Sequence, residues 1–183
     1  MKPETVEVAD KTFKIMIDAE SIQERVSELG KQINLDFADK KPVLIGILNG
    51  SFLFMADLVK QIDIPCEIAF MKVSSYHGGM ESKRVVSKDY DLKMDVTNRH
   101  LLIVEDIVDT GTTMRFIVDK LKARNPASIN IATLLYKPEA LEHQIDELNY
   151  IAFEIENKFV VGYGLDYKGL GRNLNGIYQL VKY

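Results

Sequence analysis

Apolar residues come along this chain in short unbroken runs, each closed by a polar stop. Val43-Leu44-Ile45-Gly46-Ile47-Leu48 stops at Asn49-Gly50-Ser51, and Leu101-Leu102-Ile103-Val104 stops at Glu105-Asp106. Runs of this length without alternation suit strands buried on both faces of a parallel sheet. Residues 66–73 and 128–136 read the same way, and 150–153 reads as a shorter strand. Between these runs the period lengthens. Residues 52–62, with Ser51 as cap, and 114–124 read as helices, the second broken by Asn125-Pro126. Before them, Asp18 caps a helix that puts Ile22, Val26 and Leu29 on one face and runs to Asn34. Residues 5–8 and 12–17 read as short strands. Residues 139–148 read as a short helix or loop. The last apolar run, 159–163, leads through a loop at 165–173 into a closing strand at 177–181.

Strand and helix alternate through the middle of the chain. The predicted fold class is therefore α/β, with a mostly parallel sheet and helices on both faces. At 183 residues, with no internal repeat or linker, one domain is expected. The N- and C-terminal segments should pack together as a small cap beside the sheet. In such folds ligands bind beyond the carboxyl ends of the strands, near the switch in strand order. The unusual clusters all follow strands: Asn49-Gly50-Ser51, Ser74-Ser75-Tyr76, Glu105 to Thr113, Lys137 and Asp166. They are expected to converge on one crevice. Residues 74–88 are polar, and a loop of that length is more often functional than not.

Composition narrows the field. The net charge of −4 gives no overall basic footprint for nucleic acid. The single cysteine, Cys66, excludes an intrachain disulfide, fits a reducing compartment, and reads as an inert core residue. No apolar run reaches membrane-spanning length, and Met1 to Thr5 opens no signal-peptide core. A cytoplasmic protein is expected. His77 reads as an exposed loop residue. His100 and His143 fall on connections, with no Cys or His cluster to make a zinc site.

The chemistry gathers at 101–113. A buried strand ends in two acids, and Asp109-Thr110-Gly111-Thr112-Thr113 follows before a helix. Unpaired N–H groups at a helix start suit a phosphate. Adjacent carboxylates would repel it unless they face a metal ion or sugar hydroxyls. The pattern proposes a ligand with phosphate at one end and polyol plus metal at the other. It is not a Walker loop, since no Gly-Lys-Ser/Thr follows, nor a dinucleotide fingerprint, since Gly111 stands alone.

The stretch from Val104 to Thr113 resembles the phosphoribosyl pyrophosphate motif of the type I phosphoribosyltransferases. Leu48-Asn49-Gly50-Ser51, Ser75-Tyr76, the lysine after Leu134-Leu135-Tyr136, and Lys158-Phe159-Val160-Val161-Gly162-Tyr163-Gly164-Leu165-Asp166-Tyr167 resemble the hypoxanthine-guanine members of that family. The similarity runs from about Val43 to Arg172. It implies the type I phosphoribosyltransferase fold: a core of about 40–165, a hood from both terminal segments, and a flap at about 74–88. It also implies purine salvage. A phosphoribosyl group passes from phosphoribosyl pyrophosphate to N9 of hypoxanthine or guanine, with xanthine a third possible base, giving IMP or GMP and pyrophosphate.

The resemblance also implies roles. Glu105 and Asp106 hold the ribose hydroxyls, where their charge favours an oxocarbenium-like transition state. Asp109, Thr110, Gly111, Thr112 and Thr113 wrap the 5′-phosphate. Thr112 stands where some relatives carry lysine, so phosphate binding leans on N–H groups. Asp109 also faces purine N7 as the catalytic candidate, either as a general base or as a residue that shapes the turn. Lys137 donates to the purine O6. It would disfavour 6-amino purines, whose unpaired donors cost roughly 1–3 kcal/mol. Phe159 stacks on the base and Val160 offers main-chain groups. Asp166 lies near the 2-position of the base or holds a metal. Asn49, Gly50 and Arg172 approach pyrophosphate, in a turn where the family has a non-proline cis peptide. Asn49 replaces a cation frequent in relatives. Ser75 and Tyr76 reach the substrate as the flap closes and excludes water. Magnesium is the implied cofactor, with Glu105, Asp106 and Asp166 as ligands. The implied partners are small molecules, with no nucleic acid and no membrane, in a homo-oligomer of two or four subunits. The alternative is a regulator of the same fold that senses phosphoribosyl pyrophosphate or nucleotides and binds nucleic acid.

Overall fold

A computed structural model of the chain describes residues 4–73, 75–76, 85–86 and 92–181. The elements in order are β1 (Thr5–Val8), β2 (Lys11–Ile17), α1 (Ala19–Asp36), β3 (Val43–Leu48), α2 (Phe52–Val59), β4 (Glu67–Lys72), β5 (Ser75–Tyr76) and β6 (Val85–Val86). After them come β7 (His100–Val108), α3 (Thr112–Lys122), β8 (Ser128–Tyr136), β9 (Leu148–Glu154), β10 (Val160–Val161) and β11 (Ile177–Leu180). A single 3-10 turn, Pro138–Ala140, is all the helix that forms in the stretch read as a short helix or loop.

The central sheet has the order β4-β3-β7-β8-β9, and every pairing is parallel. Its two faces are sorted by alternation along the strands. Leu44, Leu102 and Val104 pack with Ile22, Val26 and Leu29 of α1 and Phe54 and Leu58 of α2. Val43, Ile45, Leu101 and Ile103 pack with Met114, Ile117, Val118 and Leu121 of α3. The unbroken apolar runs have this cause: both faces are covered, so neither tolerates a polar residue.

β3 and β7 are adjacent, while β4 lies on one side of them and β8 on the other. The order therefore reverses between β3 and β7. Their pairing runs from Val43↔Leu101 to Gly46↔Val104 and stops. β3 stays paired with β4 to Leu48↔Lys72, and β7 stays paired with β8 to Val108↔Tyr136. The two central strands thus part at their carboxyl ends while their outer partners hold, and a crevice opens where the ladder is missing.

A second sheet has the order β1-β2-β11-β10, all antiparallel. Phe13, Val161 and Tyr178 form its buried face with Val8. It joins residues from both ends of the chain. β5 and β6 pair as Ser75↔Val86 and Tyr76↔Val85. The rest of the expected flap, at 74, 77–84 and 87–88, and with it His77, lies outside the described residues.

Several local readings change. Asp18 caps α1 as expected, its Oδ1 accepting from Ser21 N at 2.8 Å, but the helix continues to Asp36. Ser51 precedes α2 without capping it. It is fully buried, and its hydroxyl donates to Ile47 O at 2.6 Å instead of accepting from the helix. α2 ends at Val59, because Gln61 N and Ile62 N turn back to Leu58 O and Val59 O, three residues behind. α3 starts at Thr112, two residues early, and ends at Lys122. Cys66 precedes β4 instead of lying in it and is only half-buried. His100 is the first residue of β7, not a connection, and its Nδ1 lies 2.8 Å from Ser128 Oγ.

Candidate active site

The crevice is a cleft of about 400 Å³ at the carboxyl end of the sheet. β3 delivers Asn49 and Gly50 to it, and β7 delivers Glu105, Asp106 and the turn through Thr113. The loop after β10 delivers Asp166 and Arg172. The peptide bond between Leu48 and Asn49 is cis.

Gly50 is where these parts meet. A Cβ built there would lie 1.5 Å from Asp106 Oδ2, so any side chain would displace the acid. On its other side, a Cβ on Gly164 would lie 1.9 Å from the Gly50 carbonyl oxygen. The turn after β3 is therefore held between an acid of β7 and the backbone of the loop after β10.

The two acids differ. Glu105 is 6% exposed, whereas Asp106 is half-buried. Burial pushes the Glu105 carboxyl well above the carboxylate range, and the charge of Asp106 beside it adds to the effect. Glu105 Oε1 accepts from Asp106 N at 3.0 Å, and Asp106 Oδ1 accepts from Ile107 N at 2.9 Å. Each acid thus has one main-chain donor along its own strand. A buried carboxylate next to another favours a cation or hydroxyl donors opposite.

The turn beyond them suits an anion. Gly111 takes φ 82°, a left-handed conformation that the glycine accepts without a Cβ clash, and it offers α3 no side-chain cap. Thr110 to Met114 line the cleft at the start of α3, where N–H groups have no partner within the helix, and Thr112 N donates to Thr110 Oγ1 at 3.5 Å. Thr110 Oγ1 and Thr112 Oγ1 are 3.1 Å apart.

Lys137 does not line this cleft but lies beside it. It is 6% exposed, and its Nζ reaches Asp109 Oδ2 and Asn157 Oδ1, each at 3.4 Å. Asn157 was not singled out from the sequence; a lone amide between two strands gives no signal until the fold sets it against an ammonium. Phe159 and Val160 also lie outside the cleft. Phe159 is 48% exposed, with Tyr167 edge-on to it at 5.8 Å and Phe13 at 6.3 Å, while Val160 is buried. Although Phe159 stands in an apolar run, half of it is open. Asp166 pairs with Arg172 at 2.6 Å and accepts from Gly169 N at 2.7 Å. Ser51, placed with the cleft clusters from sequence, is turned into the core. For Ser75 and Tyr76 the described structure is the short pairing with β6.

The chain matches the phosphoribosyl transferase domain over residues 17–168. It belongs to the phosphoribosyltransferase family. Among curated phosphoribosyltransferases it is 50% identical to the hypoxanthine-guanine phosphoribosyltransferase of Streptococcus pneumoniae, over 88% of this chain and 89% of that one. It is 44% identical to the hypoxanthine phosphoribosyltransferase of Haemophilus influenzae, over 91% and 94%. A crystal structure of a hypoxanthine phosphoribosyltransferase from Staphylococcus aureus superposes with a TM-score of 0.86 at 45% identity, covering 92% of this chain and 91% of that one. The Trypanosoma cruzi enzyme superposes with a TM-score of 0.85 at 34% identity, over 96% and 95%. The parallel sheet with flanking helices is thus the type I phosphoribosyltransferase fold. No helix among the described residues is long and apolar enough to cross a membrane.

Among the described residues, no three of His, Cys, Asp and Glu come together as a metal-binding group. Glu105, Asp106 and Asp166 therefore form no protein-only cage in this phosphoribosyltransferase, since Asp166 is taken up by Arg172. The acid pair still fits a hard divalent ion that draws most of its oxygens from a phosphorylated substrate and water.

Proposed function

We propose that this enzyme transfers the 5-phosphoribosyl group of phosphoribosyl pyrophosphate to N9 of hypoxanthine or guanine, forming IMP or GMP and releasing pyrophosphate. The observation that carries the choice of base is Lys137, a buried ammonium beside Asp109 at the edge of the phosphate turn. An ammonium donates to a 6-oxo group and leaves a 6-amino group unsatisfied. The whole-chain identity to the hypoxanthine-guanine enzymes supports the same choice.

The division of labour follows the cleft. The N–H groups and hydroxyls from Thr110 to Thr113 take the 5′-phosphate. Glu105 and Asp106 hold the ribose hydroxyls, and their negative charge lies where the ring becomes positive as pyrophosphate departs. Asn49, Gly50 and Arg172 form the pyrophosphate end. Glu105 and Asp106 are the residues that would hold a magnesium ion, which would neutralise the leaving pyrophosphate, while Asp166 stays paired with Arg172. Asp109 faces the N7 edge of the base, and Lys137 holds that carboxylate as well as the O6. Phe159 offers its open ring face to the base, Val160 its main chain, and Ser75 and Tyr76 cover the reacting centre. The active form is a homo-oligomer working on small molecules in the cytoplasm, with no nucleic acid or membrane as partner.

The test is turnover by purified protein with magnesium, phosphoribosyl pyrophosphate and one base at a time. IMP from hypoxanthine and GMP from guanine are expected, with adenine at least about a hundredfold poorer, the scale of an unpaired buried donor. No nucleotide from either 6-oxopurine would overturn the reading.

A further inference from the structure

The pyrophosphate end of the cleft rests on a side chain that does not touch it. Arg172 Nη1 donates to Gly164 O at 2.6 Å, and Arg172 Nη2 pairs with Asp166. Gly164 N in turn donates to Arg172 O at 3.0 Å. The position of the guanidinium is thus set by the backbone at Gly164. That same backbone sits so close to the Gly50 carbonyl that no Cβ fits between them. Whatever fixes Gly164 therefore fixes both Arg172 and the turn that bears Asn49.

The residue next to it is Tyr163. Its φ is 47°, a left-handed conformation unfavourable for a side chain of this size, so the surroundings must hold it. It is 4% exposed, and its N–H donates to Leu174 O at 2.8 Å. Its hydroxyl donates to Asp57 Oδ2 at 2.6 Å. Asp57 lies on α2, the helix that starts just after the Asn49-Gly50 turn. The same carboxylate accepts from Gln23 of α1 at 2.6 Å and pairs with Lys60 at 2.5 Å. The phenol is thereby tied to two helices of the core.

We infer that Tyr163, held by Asp57, is a positioning residue for the pyrophosphate half of the reaction: it pins the loop after β10 to the core and so aligns Arg172 and Asp166 with the Asn49-Gly50 turn. This inference rests on the proposed assignment of that half of the cleft. It predicts a lopsided effect, because the phosphate turn and Lys137 are built on elements the pin does not touch, and Phe159 and Val160 are held by main-chain pairing with β11.

Tyr163→Phe removes only the hydroxyl. The expected result is a KM for phosphoribosyl pyrophosphate raised about tenfold, with the KM for hypoxanthine within twofold of wild type. Asp57→Asn keeps an acceptor for the phenol and should lie between Tyr163→Phe and wild type. Asp57→Ala should match Tyr163→Phe, and the double variant should be no worse than either. Calorimetric titration of magnesium pyrophosphate into each protein reads the same pin without turnover, and about tenfold weaker binding to Tyr163→Phe is expected. Wild-type affinity for magnesium pyrophosphate in Tyr163→Phe, or equal losses for both substrates, would overturn the inference. If wild-type protein binds magnesium pyrophosphate yet forms no nucleotide from either base, the proposed activity fails while the pin is still read by the titration.

Discussion

At the scale of single residues, the cleft has given up stability for chemistry. Glu105 is a carboxyl buried beside a second carboxyl, and burial and repulsion both oppose its ionisation. Without a ligand it weakens the fold. Glu105→Gln should therefore stabilise the ligand-free protein by on the order of 1 kcal/mol, roughly 2–4 °C in Tm for a domain of this size. The same change should lower turnover at least tenfold. Calorimetry of the ligand-free variant beside its kinetics checks both, and a lower Tm would contradict the argument. The acid pair and its turn were readable from sequence because they break an apolar run in one place. Which acid turns inward was not readable, since adjacent strand residues face opposite ways and the choice depends on which face is covered. Ser51 shows the same limit: a serine before a helix suggests a cap, yet its buried hydroxyl turns back to Ile47 O.

At the scale of elements, the helices are tied to the strands and loops by two buried phenols. Tyr150 of β9 donates to Asp36 at the end of α1 at 2.9 Å, and Tyr163 donates to Asp57 of α2. Burial raises both phenols above their ordinary value of 10.0, and the carboxylate each one faces raises them further. The folded state thus holds these protons more tightly than the unfolded chain does. Their contribution is complete below about pH 10 and is lost as pH rises beyond it. The slope is at most about 1.4 kcal/mol per pH unit for each phenol. Denaturant unfolding between pH 9 and 11 should show this falling limb, and Tyr150→Phe should make it shallower. An unchanged slope would remove Tyr150 from the account. Neither tie was legible in the sequence, because each pairs residues more than a hundred positions apart. The elements themselves were legible where a run is long and closed by a clear stop, as at β3, β7 and β8. They were least so at 139–148, where weak periodicity resolves into one 3-10 turn.

At the scale of the whole molecule, the chain divides its contacts by distance along the sequence. The parallel sheet is assembled from segments that follow one another, β3 with β4 and β7 with β8 and β9. The second sheet pairs β2 with β11, Phe13 opposite Leu180. Closing so large a loop costs more entropy than joining neighbours. Pulse-labelled hydrogen exchange during refolding should therefore protect amides of β3, β7 and β8 before those of β2 and β11. Simultaneous protection of the two sheets would contradict this order. The order matters for a chain being made from its amino end. β2 must wait for β11, and Arg172 arrives only eight residues after the Gly164 carbonyl it grips. On the proposed assignment, a ribosome-bound or prematurely ended chain can hold Asn49, Gly50, the acids and the phosphate turn and still lack the guanidinium of the pyrophosphate end. Under that assignment competence is conferred last, and unfinished copies should be inert toward the activated sugar.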